Sequence, residues 1–589
     1  MKVLFNNGKA YLLIGLVFLL QCAPVKENPS TNPFEQIKSS YLSKLRSIDQ
    51  HMDALAEGRD YQQNLARARK LFKQIEPVMA YVNNPDFQTL NRPNILGVKE
   101  EDLTDIKIFP SYGFQVLEEE IYADQPDSAV VKNNAIFIKS RVAFLQRSTD
   151  FSHLKDYHFL WMIRREMIRI ATTGITGFDS PVLANSLAES SWAYEEVRNF
   201  IQLYHEQFQD RDLYQQWLAE LDETIQDLQA DFDTFDRYQF IKKHTDKQLA
   251  LWNETVTDWK VEFPLTFAIN NDISSLFASN VFNPVHFADQ YAVAGLDEKV
   301  TLGRKLFNDP SLSADGKMSC ATCHEKKKAF TDGLALSMNQ KRNSPTLTYA
   351  GLQQAFFYDN RAGSLEGQIV SVVENETEFH SNLEAFEQVV NQNPEYKAEF
   401  DSLYKDGVSN YNIRNAIANY IRSLAPFNSK FDRNMRGEES TLTSLEVKGF
   451  NLFMGKAACA TCHFPPVFNG TVPPEFTETE MELIGTPETA ENLAVDNDPG
   501  AFSLFNTEQR RFFFKTPTVR NAAMTAPYMH NGVYETMEQV MDFYNNGGGA
   551  GMGFDLPYQT LPFDSLGLEQ DEQQAIIAFM KTLTDEPTD

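Results

Sequence analysis

Cysteine is scarce in this chain: five occur in 589 residues. Thiols so few, spread from Cys22 to Cys462, make no disulfide framework of the kind that holds small secreted domains together, so the fold must rest on buried apolar side chains. Positive charge is also short. Lys and Arg number 53 against 81 Asp and Glu, a formal charge of −28. No long basic run occurs, which excludes a nucleic-acid partner, because phosphate binding needs clustered Lys and Arg. Acidity mostly serves solubility, and of macromolecular partners it suits a basic protein best. Tryptophan is missing from the second half: all five lie at or before Trp259. Strand-like alternation is rare throughout, whereas 42% hydrophobic residues suffice to fill two or three domains.

The one long apolar run is at the N-terminus. Lys2 and Lys9 precede "AYLLIGLVFLL", Ala10 to Leu20, which is too short for a relaxed membrane span and suits the apolar part of an export signal. The run ends in "LLQC", and Cys22 resembles the lipidated cysteine of a bacterial lipoprotein box; the alternative is an ordinary signal peptide with a stray thiol. This predicts a signal peptide over 1–21, a lipoprotein linker over 22–34, and a chain held by lipid on the periplasmic side of a bacterial outer membrane.

The other four cysteines stand in "GKMSCATCHEK", Gly316 to Lys326, and "GKAACATCHFP", Gly455 to Pro465. Two cysteines separated by two residues can hold zinc, form a redox disulfide, or be alkylated by the vinyl groups of a haem whose iron the following histidine ligates. Zinc would need the two pairs to converge across more than a hundred residues and would leave both histidines unexplained. The expectation is two covalently bound c-type haems, attached through Cys320, Cys323, Cys459 and Cys462, with His324 and His463 as iron ligands. Every cysteine then has an assignment, Cys22 being the lipid site.

The expected fold is mainly α. From about Glu35 to Leu276 apolar residues recur at steps of three and four, as in "DLYQQWLAELDETIQDLQADFDTF", where Leu213, Trp217, Leu221, Ile225, Leu228, Phe232 and Phe235 line one face of a long helix. A helical bundle over 35–276 follows. Within it, "PSYGFQVLEEEIY" resembles the Gly-x-His-x-x-Glu segment of imelysin-like domains, with Gly113 and Glu118 in place and Gln115 where the histidine would be. Gln115 and Glu118 are expected to be ordinary polar residues at a bundle surface or helix junction. The helix-unfriendly "NDISSLFASNVFNPVHFADQ" leads into an internal duplication. Gly303, Leu306 and Phe307 precede the first haem motif as Gly449, Leu452 and Phe453 precede the second, giving two cytochrome c-like domains, 277–435 and 436–589.

The segments between and after the motifs, "NSPTLTYAGLQQAFFYDNRAGSLEGQ" and "FKTPTVRNAAMTAPYMHNGVYETMEQVMDFYNNGG", resemble the bacterial di-haem cytochrome c peroxidase and MauG-like family. The resemblance implies a peroxidatic first haem and an electron-transfer second haem. It places a distal-pocket glutamine and glutamate seven and seventeen residues after an arginine; from Arg361 these are Gln368 and Glu378. It implies an interhaem Ca²⁺ bound by Asn343, Thr525 and Pro527, hard oxygen ligands of the kind that ion takes. The family's interhaem tryptophan falls at Tyr358. The sixth ligand of the second haem, fourteen residues after His530, falls at Tyr544, with Met541 three residues earlier as its rival. In reductively activated relatives a histidine caps the first haem; the matching position here is Ala335, and "EKKKAFTDGLALSMNQKRN" contains no histidine, leaving only the less suited His380.

In these terms Glu378 would shuttle the peroxide proton while Gln368 orders the peroxide by hydrogen bonding. The leading expectation is a peroxidase that reduces hydrogen peroxide with electrons from a small cytochrome c or cupredoxin, without prior reductive activation. The alternatives are a MauG-like oxidase acting on aromatic side chains of a partner protein, and, from a different class, a lipid-anchored electron-transfer or metal-uptake module. A second copy of the chain is a further candidate partner. "KKK", Lys326 to Lys328, is either a docking spot beside the first motif or a solvated run.

Overall fold

The computed structural model describes residues 32–102, 105–288 and 296–586. The expected export signal and Cys22 lie outside them. As the sequence predicts, the chain is mainly helical, about 53%. Among the described residues no helix is long and apolar enough to cross a membrane.

The first half is built from helices whose buried stripes are legible in the sequence. In Pro33–Ala56 the proline occupies the first turn, Asn32 accepts from the amide of Phe34, and Ile37, Tyr41, Leu45, Ile48, Met52 and Leu55 are buried at helical spacing. The long helix expected from Leu213 to Phe235 is shorter: it spans Arg211–Asp227. Beyond it, Asp231 accepts from the amides of Asp233 and Thr234, a local side-chain turn that competes with helical hydrogen bonding. Phe235 is nonetheless buried, from a loop, and Phe232 packs beneath the guanidinium of Arg237 at 4.4 Å. A two-stranded hairpin, Gly97–Asp102 paired with Asp105–Phe109, also appears where the sequence suggested no strand.

Gln115 and Glu118 sit at a helix junction, one of the two places expected for them, and each is only 1% exposed. Gln115 donates to the carbonyl of Asn91 at 2.8 Å. Glu118 accepts from the hydroxyl of Ser180 and the amides of Val182 and Leu183, so its charge is met by donors of the turn that leads toward the next helix.

Two helix crossings in the second half are built alike. Helix Leu296–Phe307 crosses Asn410–Arg422, and helix Ser444–Met454 crosses Gln570–Thr582. At both crossings a glycine permits the approach. A Cβ on Gly303 would lie 1.9 Å from the carbonyl oxygen of Ala416, and one on Gly449 would lie 1.9 Å from that of Ala575. A Cys-x-x-Cys-His turn follows each first helix, Cys459 five residues after Met454 and Cys320 thirteen residues after Phe307.

The two repeats differ in what surrounds them. Leu302 to Ile421 carry an apolar core of their own, whereas Phe431, Phe450, Phe453, Phe468 and Phe579 continue the core of the first half. Phe277 packs edge-on against Phe431 at 5.2 Å, and Phe178 meets Phe464 at 6.2 Å. Asn451 accepts from the amide of Tyr238, and Gly455 is bare of a side chain where the guanidinium of Arg237 lies. The helical half therefore lies directly on the second Cys-x-x-Cys-His motif.

Candidate functional site

The four cysteines of the motifs are free thiols, and none pairs with another. Burial pushes Cys320 and Cys459 up to about 12 and Cys323 up to about 11. The two histidines are set alike. Nδ1 of His324 lies 3.0 Å from the carbonyl of Phe330, and Nδ1 of His463 lies 3.0 Å from that of Pro517. A carbonyl accepts only from an N–H, so Nδ1 carries the proton and the lone pair is left on Nε2, the arrangement of a metal-ligating imidazole with an oriented outer partner. Burial lowers both, His463 to about 4, which keeps the rings neutral.

His463, Cys459 and Cys462 line a cavity of about 1370 Å³ whose wall also includes Tyr544 and Met541. Apolar side chains such as Phe464, Ile484 and Val519 complete the wall. Burial raises the phenol of Tyr544 well above its ordinary range, and the nearby thiols and Glu482 add to the effect. Met541 is buried on the same helix, Met537–Asn545. The residues needed to hold a haem by two thioethers, one histidine and one further side chain are thus assembled, and the first motif offers the same thioether and histidine set.

Glu378 is half-buried in a turn that folds back over the end of helix Leu365–Glu374, the helix carrying Gln368; Ser381 donates to the carbonyl of Val373 at 2.9 Å. Its carboxylate accepts from Asn375 at 2.8 Å, and it lies close enough to Cys320 and Cys323 for its charge to raise both thiols. Burial raises Glu378 itself, against the pull of Asn375 and Arg361. His380, with positive φ of 47°, is exposed. Ala335 is exposed too, its backbone packed against Gly532.

Between the motifs, the hydroxyl of Tyr358 donates to Oδ1 of Asn343, whose Nδ2 donates to the carbonyls of Met529 at 2.8 Å and Pro527 at 3.2 Å. Asn343 and Pro527 are brought together, with Met529 beside them, while Thr525 lines the same cavity. The carbonyl of Tyr358 accepts from Lys515 at 2.6 Å, its ring faces His530 edge-on at 6.4 Å, and His530 stacks on Phe514 at 3.7 Å. Nε2 of His530 is 2.7 Å from Asp496. This aromatic column joins the two repeats.

Sequence reasoning missed the roof of the cavity. Arg92 and Val98, from the helical half and its hairpin, line it together with Glu480 and Glu482. Burial first, and then the like charges of Glu482 and Glu478, raise Glu480 to about 8. Arg510 spans the junction, donating to the carbonyl of Val98 at 3.2 Å. Residues some four hundred positions apart carry no local signal of such proximity.

The model of the di-haem cytochrome c peroxidase family matches residues 297–440. The cytochrome-c peroxidase IdrP2 of Denitromonas iodatirespirans is 33% identical over 320 residues, 50% of this chain and 84% of the relative. The methylamine utilization protein MauG of Paracoccus denitrificans is 34% identical over 346 residues, 49% of this chain and 89% of the relative. A solved structure of a MauG-like protein associated with microbial copper homeostasis aligns with 49% of this chain and 90% of its own, at 28% identity and a TM-score of 0.44.

Proposed function

Because this chain belongs to the di-haem cytochrome c peroxidase and MauG family, we propose that it reduces hydrogen peroxide to water with electrons from a small redox protein, without prior reductive activation. Each turnover takes two electrons and two protons and converts one peroxide to two waters. Two c-type haems attached at Cys320/Cys323 and Cys459/Cys462, ligated by His324 and His463, supply the redox chemistry when bound.

The protein's own contribution centres on Glu378. Among the described residues its charge acts on both cysteines of the first motif, and its raised affinity for protons suits a group that takes a proton and returns it. In this reading Glu378 removes the proton from the near peroxide oxygen and delivers it to the departing one. Gln368, on the helix beneath, orients the peroxide by hydrogen bonding. The lack of histidine between Glu325 and Asn343 supports a first site that is open from the start. Tyr358 and the His530–Phe514 stack form the route between the two sites. Asn343, facing the carbonyls of Pro527 and Met529 with Thr525 close by, supplies a set of hard oxygens for Ca²⁺ once its amide oxygen is turned toward them.

Tyr544 in the wall of the second cavity supports the second reading, a MauG-like oxidase that shares its oxidising equivalents between the two sites and acts on aromatic side chains of a partner. Steady-state peroxide consumption with a reduced cupredoxin or cytochrome c separates the two; turnover sustained by the donor alone is expected, and its absence removes the peroxidase reading. Haem-stained denaturing gels and intact mass must show two covalent haems. The predicted lipid anchor at Cys22 and periplasmic placement complete the proposal, and membrane fractionation of a Cys22→Ala variant tests them.

A further inference from the structure

Arg92 reaches the wall of the second cavity with little to hold it there. It follows helix Asn84–Asn91 and meets Val98, Glu480 and Arg510 around the same space. Its guanidinium donates once, to the carbonyl of Ile95 at 3.5 Å, and among the described residues it forms no ion pair. Most of its five donors therefore have no protein acceptor. Gly97 makes room for it: a Cβ there would lie 2.9 Å from Nη1 and 3.1 Å from Nη2, so the hairpin begins with the one residue that leaves the guanidinium in place. Burial lowers Arg92, with only the charge of Glu480 opposing it.

Arg510 comes to the same wall from the second repeat. Its Nη2 donates to the carbonyl of Val98 at 3.2 Å, while Nε is buried without a hydrogen-bond partner and stands 4.0 Å from Glu100. Burial lowers Arg510 as well, against the pull of Glu100, and the like charge of Arg92 adds to the effect, so the two guanidiniums are near enough to repel. Two partly desolvated cations set together, one with no carboxylate in pairing distance and one with a free buried N–H, are costly unless an anion joins them. Glu480 and Glu482 do not serve, since among the described residues neither pairs with Arg92 or Arg510.

We infer that Arg92, reaching from the helical half, binds a carboxylate of the haem held at the second motif, with Arg510 beside it. This rests on the reading of Cys459, Cys462 and His463 as a haem site. Such a haem brings two propionates into the cavity, and the forked guanidinium matches a carboxylate in shape as well as charge. A free inorganic anion offers the same oxygen chemistry, and the test separates the two. The second site is where electrons enter before crossing by way of Tyr358, so a cation there acts on the step that accepts them. Positive charge favours the less positive ferrous state; Arg92 therefore holds the potential of this site up. The helical half thus sets how readily the second site is reduced, besides covering it with Phe178 and Arg237.

The test uses the full chain matured with both haems, the reduction of each being followed by spectroelectrochemistry. Arg92→Gln is expected to make reduction of the second haem about tenfold less favourable, about 59 mV for one electron, and to leave the first haem unmoved. The resonance Raman band of propionate bending should shift with it, because a direct contact is lost. Arg92→Lys keeps the charge but not the forked donors, so it should recover most of the potential while the band still moves. Haem mass and circular dichroism should match the parent in both. Should the glutamine variant fail to mature, the band of the lysine variant decides alone. A parent-like band in either variant would overturn the inference, whatever the potential does. So would inorganic phosphate that lowers the second-haem potential of the parent and not that of Arg92→Gln, since the arginine would then serve a free anion. A chain that gains only one haem by mass, at the first motif, refutes the haem reading of the second motif instead.

Discussion

The hydroxyl of Tyr358 points at the side-chain amide of Asn343, and that amide is held in turn by the carbonyls of Met529 and Pro527. Neither end of an amide is a useful base at neutral pH, so whichever faces the phenol, no group there can take its proton. Burial adds to this by raising the phenol above its ordinary range. Oxidising Tyr358 to a neutral radical is therefore disfavoured, and the ring serves as a bridge that electrons cross without stopping. Tyr358→Phe is expected to keep electron transfer between the sites within about tenfold of the parent, since it keeps the ring and loses only the hydroxyl. Rapid-freeze EPR after peroxide addition should show the same radical yield in both. A tyrosyl signal present in the parent and absent from the variant would return Tyr358 to the role of a stopping point.

Glu378→Gln is expected to leave haem content and folding intact while slowing the reaction with peroxide by about 100- to 10,000-fold, the usual contribution of a positioned general acid–base group. The raised proton affinity of Glu378 gives a second signature. A carboxylate that must be ionised to accept a proton makes the rate fall as pH drops, and burial moves that fall above the ordinary carboxylate range. Stopped-flow traces across pH should lose this limb in the variant. Parent-like kinetics would mean that Glu378 is a structural acid of its turn.

Much of this was legible in the sequence because the relevant signals are local. The two Cys-x-x-Cys-His turns, the duplicated Gly-x-x-Leu-Phe ahead of them and the helical stripe of Ile37 to Leu55 each arise within a few turns of chain. What the sequence hid is tertiary. Helical periodicity extends through Phe235, yet the Asp231 turn ends the helix at Asp227, because a side-chain acceptor outcompetes backbone pairing there. The polar segment of Gln115 and Glu118 fits a surface or a helix junction equally well until Asn91 and the Ser180–Leu183 turn supply its partners. The cavity roof, Arg92 over Glu480, depends on how two distant parts of the chain pack, and no spacing encodes that.

At the second site, Tyr544 and Met541 stand one turn apart on the same helix, and both reach the cavity wall. The matched spacing from His530 favours Tyr544. A phenolate stabilises ferric and higher states, whereas a thioether favours ferrous iron and raises the potential. The ferric protein is expected to lack a sulfur-to-iron band in the near infrared, and Tyr544→Phe should change its EPR spectrum while Met541→Leu leaves it alone. A band abolished by Met541→Leu would reverse the assignment and weaken activation-free turnover with it.

Asp246 links the fold to pH. It begins helix Asp246–Trp259 inside the helical half, one of its carboxyl oxygens is buried without a hydrogen-bond partner, and burial pushes the group up to about 8 from an ordinary 3.8. The folded state therefore binds this proton more tightly than the unfolded chain does. Its contribution is greatest below about pH 4, declines as pH rises through the interval to about 8, and changes no further above that. Within the interval one such group lowers stability by at most about 1.4 kcal/mol per pH unit. Glu166, fully buried with neither oxygen hydrogen-bonded and also raised to about 8, acts in the same direction. The melting temperature of the protein, followed by circular dichroism, should accordingly fall between pH 5 and pH 8. Other groups titrate over that range as well, so the decisive quantity is a difference between proteins. Asp246→Asn carries no proton to lose, and its melting temperature should fall less steeply over the same interval. Parallel curves for parent and variant would mean that Asp246 is already ionised in the folded protein, with a compensating charge or water at its free oxygen.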